Sequence, residues 1–311
     1  SKPVYYLVDY DDLFLYFPLN NLKQFETLIG QLTDPFAIAM PKPVFKKYFD
    51  FSKDVYLKDH KINGVSYVPA SVGISMFLCL GNLHFKKFPI LKNIIIQNPI
   101  VVKNEPVECL FEAENKNRFY GFSIKSSIVH FYGEAEGNNH QKASHYDLIK
   151  PEKEIVKEDF YSDFNLNDSI LFYGPAFQIA YKALIDKGGN LCLVVDNSKL
   201  FPVLGLGIYD KLIQWIDVLF QALVATALNP DFKIIPVRIS KLSVFSDAEI
   251  SSRVYAIPSA VKFTASGLEG NAALVNEKGE TIVEMTGVFM KKIGEHKGGG
   301  GGLTIKEYKN E

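Results

Sequence analysis

Two stretches of this chain are so apolar that each demands an enclosure. "ASVGISMFLCLGNLHF" (70–85) carries apolar residues on every face of a helix over four turns, and Pro69 stands just before it. "LGLGIYDKLIQWIDVLFQALVATAL" (204–228) is a longer helix of the same kind, entered through Gly205 and Gly207. A helix that is hydrophobic all round is stable in water only when wrapped by other elements. Strand-like sequence stands on both sides of each. "PVFKKYFDFSKDVYL" (43–57) alternates as a strand pair or one long strand, and strands are expected in 91–100, 106–115 and 118–137. Ahead of the second helix, "YGPAFQIAYKALID" (173–186) reads as a turn and a short helix and "NLCLVVD" (190–196) as a strand. Four strand candidates follow it, the last two joined by the hairpin-type turn "EKG".

The order strand, buried helix, antiparallel strands therefore occurs twice. One helix wrapped by a curled antiparallel sheet is a hot-dog unit, so the expected fold is α+β, a double hot-dog whose units share one sheet. The division expected is residues 1–40 as an N-terminal extension or linker, 41–140 as the first unit, the charge-rich 141–160 as a crossover, 161–295 as the second unit, and 296–311 as a tail. Ser1 in place of an initiator Met, and the run Gly298 to Gly302, read as edges of a piece from a longer polypeptide. A net charge of −1 gives no reason to expect nucleic acid or an anionic membrane surface. There is no run of eighteen apolar residues and no export signal. Cys79, Cys109 and Cys192, scattered through apolar sequence, read as reduced thiols, which suits a cytoplasmic protein.

Ionisable groups are costly in such a core, which makes two intrusions conspicuous. His60 precedes the first helix in "HKINGVSYVP". On the second helix, Asp210, Gln214, Asp217 and Gln221 are spaced by 4, 7 and 11 from the first and share one face. A lone His after a strand is ordinarily a surface residue, and an Asp/Gln stripe is ordinarily a solvated face.

Three motifs in order weigh against those bland readings: HxxxGxxxxP (His60, Gly64, Pro69), "YGPAFQ" (173–178) and DxxxQ (Asp210, Gln214). Together with "FYGEAEG", "IIPVRISKL" and the closing "NEKGETIVEMTGVFMKK", they resemble the dehydratase domain of modular polyketide synthases and related fatty-acid synthases over residues 43 to 293. The family usually has His-Pro a few residues before its catalytic Asp, whereas Phe201-Pro202 here sits eight before Asp210 with glycines between. Asp217 and Gln221 offer a second DxxxQ about two turns, or roughly 10 Å, deeper along the helix. Asp210 is preferred. It lies in the first turns after the glycines, and "LGLGIYDKLIQW" also resembles the helix entrance of stand-alone β-hydroxyacyl dehydratases.

What the resemblance implies is a hydro-lyase that forms an α,β-unsaturated acyl chain. Taking a proton from C2 needs a base, and neutral imidazole (His60) is suited near pH 7. Expelling hydroxide from C3 needs an acid, and a desolvated Asp keeps its proton for that purpose. The resemblance further implies that the Gly174 N–H supports the thioester oxygen, that Tyr173 and Gln214 hold the acid or the substrate hydroxyl, and that Gly64 and Pro69 shape the approach. The substrate would arrive on the phosphopantetheine of an acyl carrier protein, with Lys58, Lys61 and Arg238 as candidates for the docking patch. Other synthase domains and a second copy of the chain are the further partners implied; no metal or redox cofactor is. Two other readings share the fold: a product-template cyclase or isomerase-like variant, towards which "VPASVGISM" leans, and a non-catalytic domain kept for docking or dimerisation.

Overall fold

The computed structural model describes residues 8–9, 44–85, 87–103, 105–116, 119–138, 143–156, 161, 171–200, 203–204, 208–226, 232–245 and 250–295. The Gly-rich tail, most of residues 1–40, Phe201, Pro202, Gly205 and Gly207 lie outside these. No helix among the described residues is long and apolar enough to cross a membrane.

The first half contains β1 (Val8–Asp9), β2 (Val44–Phe49), β3 (His60–Ile62), β4 (Val65–Tyr67), helix α1 (Ala70–Phe85), β5 (Ile90–Ile96), β6 (Val101–Val102), β7 (Val107–Asn115), β8 (Tyr120–Lys125) and β9 (Val129–Glu136). The second contains β10 (Lys153–Val156), β11 (Leu171–Tyr173), β12 (Ala180–Ile185), β13 (Leu191–Asp196), helix α2 (Ile208–Thr226), β14 (Phe232–Val244), β15 (Arg253–Thr264), β16 (Gly267–Asn276) and β17 (Thr281–Glu295).

Among the described residues, thirteen strands form one sheet in the order β1-β2-β7-β8-β9-β5-β14-β17-β16-β15-β13-β12-β10. The halves join where β5 pairs antiparallel with β14, Leu91 opposite Leu242 and Ile95 opposite Arg238. Both halves curl around a helix. Every residue from Ser71 to Gly81 is buried, and α1 packs on β5 and β8. On α2, Leu212, Trp215, Leu219 and Leu223 are fully enclosed against β13, β15 and β16. The two helices also pack on each other: Ser75 Oγ donates to the Tyr209 carbonyl at 3.0 Å and Asn82 donates to the Tyr209 hydroxyl at 2.8 Å. This is the double hot-dog expected from the repeated pattern.

Three local expectations differ. Residues 43–57 give a single strand and then a 3-10 turn, Val55–Asp59, because Asp54 accepts the Asp50 N–H at 2.9 Å and bends the chain. After the YGP turn there is no short helix; Ala180–Ile185 is a strand, its inward residues filling the core against β13. Part of the crossover also enters the sheet, as β10 on the edge of the second half.

A small second sheet, β11-β3-β4-β6, straddles both halves. Its β11 comes from the second half and pairs antiparallel with β3, setting Tyr173 opposite His60. The sequence around "YGPAFQ" is thereby brought against the sequence around His60.

Candidate active site

Asn63 and Gly64 both take positive φ, 51° and 73°. That is the backbone of a two-residue hairpin, for which Asn-Gly is the favoured pair. It folds β4 back along β3, Lys61 opposite Ser66 and Ile62 opposite Val65. The next carbonyl along, that of Tyr67, stands 3.1 Å from His60 Nδ1. A carbonyl can only accept, so Nδ1 carries the hydrogen and Nε2 keeps its lone pair. Pro69 is buried at the end of the hairpin, and its carbonyl accepts the Val72 N–H at 3.1 Å in the first turn of α1. The spacing HxxxGxxxxP thus encodes strand, turn, return strand and helix start.

The His60 residue is half-buried, and its ring packs edge-on against Tyr173 (centroids 5.8 Å apart) and Phe177 (5.5 Å). Desolvation by these rings pushes its pKa down to about 4, against the opposing pull of the Tyr67 carbonyl. The imidazole is therefore neutral near pH 7, the form that can take up a proton.

Asp210, Gln214, Asp217 and Gln221 are all buried, so the polar stripe on α2 is not a solvated face. The two aspartates differ in what holds them. Asp210 Oδ1 accepts the Leu204 N–H at 2.6 Å. It ties down the chain entering α2 and sits in the helix's first turn, where a carboxylate is favoured by the dipole. Asp217 Oδ2 instead accepts from Gln221 Nε2 at 2.7 Å. The same Gln221 nitrogen donates to the Phe177 carbonyl at 2.8 Å, and Gln221 Oε1 accepts from the Tyr161 hydroxyl at 2.8 Å. Phe177 carries the ring that packs on His60, so it links the imidazole to the Asp217 carboxyl. Burial raises the Asp217 pKa to about 7, and Gln221 and Ser71 hold it down in part. The Asp217 charge in turn adds to the burial that raises the pKa of both Tyr173 and Tyr161. Of the two candidate acids, Asp210 is thus held at the helix entrance and Asp217 is tied to the segment that packs on His60. The acid gathered into the His60 cluster is the alternative, Asp217, because the approach of β11 to β3 brings Phe177 over the middle of α2 rather than its entrance.

One expectation fails. The Gly174 N–H is not free to meet a substrate, since it donates to the Asp59 carbonyl at 2.7 Å. Asp59 further accepts the Ala176 N–H on Oδ2 at 3.0 Å. A Cβ on Gly174 would come within 2.2 Å of the Asp59 carboxyl, so glycine there serves close approach and not oxyanion binding. Tyr173 lies in the cluster as expected, and Gln214 is fully buried on the same face of α2. The proposed docking charges are divided. Arg238 is on the long sheet, paired with Glu269 at 3.2 Å, whereas Lys58 and Lys61 flank His60, their ammonium groups over the rings of Phe51 and Phe172.

Sequence reasoning missed Asp59, Ser71, Tyr161 and Phe177 as parts of this site. Phe177 lies within "YGPAFQ" and was open to notice. Tyr161, one aromatic residue in a polar crossover, gave no signal. The described residues hold no cluster of His, Cys, Asp and Glu that would bind a metal ion.

Residues 28–127 match the family model "Polyketide synthase dehydratase domain". The match begins inside the segment expected to be an extension. Over that stretch the chain is similar to polyketide synthase dehydratase domains. In fold, it is similar to a trans-AT polyketide synthase dehydratase domain from Brevibacillus brevis (TM-score 0.69, 19% identity, covering 81% of this chain and 94% of that one). The dehydratase domain of the CurF module of the curacin polyketide synthase gives TM-score 0.65 at 19% identity, covering 81% and 94%. The dehydratase domain of PpsC from Mycobacterium tuberculosis, solved with C12:1-CoA, gives 0.66 at 16%, covering 84% and 96%. No curated protein matches the chain.

Proposed function

We propose that this dehydratase-type domain removes water from a β-hydroxyacyl thioester to give the α,β-unsaturated acyl chain, with His60 as base and Asp217 as acid. The observation that supports it best is a neutral imidazole and a carboxyl kept protonated to about pH 7, joined through Phe177 in one buried cluster. His60 Nε2 takes the C2 proton. The C2–H electrons form the C2=C3 double bond as the C3–O bond breaks, and Asp217 delivers its proton to the departing oxygen, so water leaves. Transfer of a proton from His60 back to Asp217 restores both groups. A positioned base is worth about 10²–10⁴ in rate.

Gln221, fixed by Phe177 and Tyr161, aims the Asp217 carboxyl. Asp59 clasps the turn that bears Phe177. The substrate in this reading is carried on the phosphopantetheine of an acyl carrier protein, docked near Lys58 and Lys61. Neighbouring synthase domains and a second copy of the chain are its other partners. A cytoplasmic setting suits Cys79, Cys109 and Cys192, all free and buried. The test is mass spectrometry of a β-hydroxyacyl carrier protein incubated with the domain. Loss of the mass of one water molecule that disappears in His60→Ala supports the reading. A ring-closed or double-bond-shifted product, or turnover undiminished in His60→Ala, overturns it.

A further inference from the structure

Tyr161 lies between β10 and β11 in the chain, and its side chain is buried against α2. The hydrogen bonds that meet there leave little freedom in the way each one points. The Ala180 N–H can only donate, and it donates to the Tyr161 oxygen at 3.2 Å. The single Tyr161 hydrogen then goes to Gln221 Oε1 at 2.8 Å, with the Phe177 carbonyl a more distant acceptor at 3.4 Å. With Oε1 turned to Tyr161, Gln221 presents Nε2 to its other two partners. One is the Phe177 carbonyl at 2.8 Å, which can only accept, and the other is Asp217 Oδ2 at 2.7 Å. Turning the amide over would set its oxygen against the Phe177 carbonyl and leave an N–H competing with that of Ala180 for the Tyr161 oxygen. The direction of every bond is thus set from the Ala180 backbone to the Asp217 carboxyl.

We propose that Tyr161 is a positioning residue for the elimination, holding Gln221 so that Asp217 receives an N–H on Oδ2 and delivers its proton from Oδ1. The inference rests on the dehydratase reading above, with Asp217 as the acid. In a protonated carboxyl one oxygen carries the hydrogen and the other is the better acceptor, so an N–H fixed on Oδ2 assigns the hydrogen to Oδ1. When the acid acts, the O–H bond at Oδ1 breaks as a new one forms on the C3 oxygen, and negative charge appears on the carboxyl. An N–H already in place on Oδ2 favours that charged form, and a hydrogen bond to a charged group is the stronger kind. An amide free to turn its oxygen to Asp217 would instead accept the proton in a hydrogen bond and hold it back. Tyr161 touches none of the reacting atoms; it acts through Gln221.

Tyr161→Phe removes the hydroxyl and keeps the ring. On a β-hydroxyacyl carrier protein, kcat per folded molecule should fall about tenfold to hundredfold, the scale of one hydrogen bond to a charged group. KM should change by less than about twofold, since the substrate is not what Tyr161 holds. A double-mutant cycle with Gln221→Leu separates this role from a structural one. A residue that acts through Gln221 has nothing left to act on once Gln221 is gone, so in that background Tyr161→Phe should change kcat by less than about twofold. Additive losses overturn the assignment, because a hydroxyl that only supports the fold would cost the same with or without Gln221. Unchanged kcat in the single variant, or a raised KM with kcat intact, overturns it as well, and both are read even if Gln221→Leu does not fold. A wild-type domain that loses no water takes this inference down together with the dehydratase reading. A wild type that turns over beside an equally active Tyr161→Phe counts against Tyr161 alone.

Discussion

The two halves hold their key side chains in opposite ways. In the first, the turn and the hydrogen bond that orient His60 lie within ten residues of it, in the Asn63-Gly64 turn, the Tyr67 carbonyl and Pro69, and distant Tyr173 and Phe177 only pack on the ring so placed. In the second, Asp217 is aimed by Gln221 one turn on, and Gln221 in turn by Phe177 forty residues before the aspartate and by Tyr161 in the crossover. A locally built device is written in spacing. One assembled from distant segments exists only once the sheet has closed.

The largest expected effect tests the local device. His60→Ala should reduce water elimination by about 10²–10⁴, measured as kcat on a β-hydroxyacyl carrier substrate, with the fold retained because the hairpin that carries it is held by its own turn and strand pairing.

The assembled device should show itself in stability against pH. The folded-state pKa of Asp217, about 7, lies above the ordinary 3.8, so the fold binds that proton more tightly than the unfolded chain. Its contribution is complete below pH 3.8 and is lost as pH rises through 7; a displacement of this size is worth about 4 kcal/mol. Asp217→Asn has no proton to lose and should be more stable than the wild type above pH 7, by up to about that amount, in urea unfolding at pH 8. His60 runs the other way, from 6.5 down to about 4, adding stability as pH rises over that span. The two opposing slopes offset each other between pH 4 and 6.5. Asp217→Asn should therefore uncover a stability that rises with pH across that window, where the wild type is nearly flat in these two groups. The same values predict a bell-shaped kcat/KM, rising as His60 loses its proton near pH 4 and falling as Asp217 loses its own near pH 7.

Two glycines sharpen the contrast. Gly174→Ala drives a Cβ into the Asp59 carboxyl, across the seam between the halves, and should cost about 1–3 kcal/mol. Gly64→Ala meets open space and strains only its own positive φ, costing about 1–2 kcal/mol. Thermal melts of the two variants rank the effects. Equal activity losses at equal stability would mean that the seam carries no special weight.

These particulars also explain what could be read from the sequence. The repeated order of helix and strands was plain because a helix apolar on all faces has few alternatives to being wrapped. Gly64 and Pro69 were legible because turn and helix-start chemistry is local. The choice between Asp210 and Asp217 was not. Both begin a DxxxQ on one face of one helix, and helical periodicity alone cannot tell which turn lies beneath Phe177. That depends on β11 pairing with β3, a contact more than a hundred residues apart in the chain. The oxyanion role expected of Gly174 failed for the same reason: its N–H partner, Asp59, belongs to the other half.

The central claim is that the acid facing His60 is Asp217, with Asp210 a helix-entrance anchor. Its most direct test is kcat of Asp217→Asn beside Asp210→Asn on one β-hydroxyacyl carrier protein. The account predicts a loss of about 10²–10⁴ in the first. In the second it predicts retained turnover, with about 1 kcal/mol of stability lost with the anchor. Retained turnover in Asp217→Asn together with abolished turnover in Asp210→Asn would contradict it.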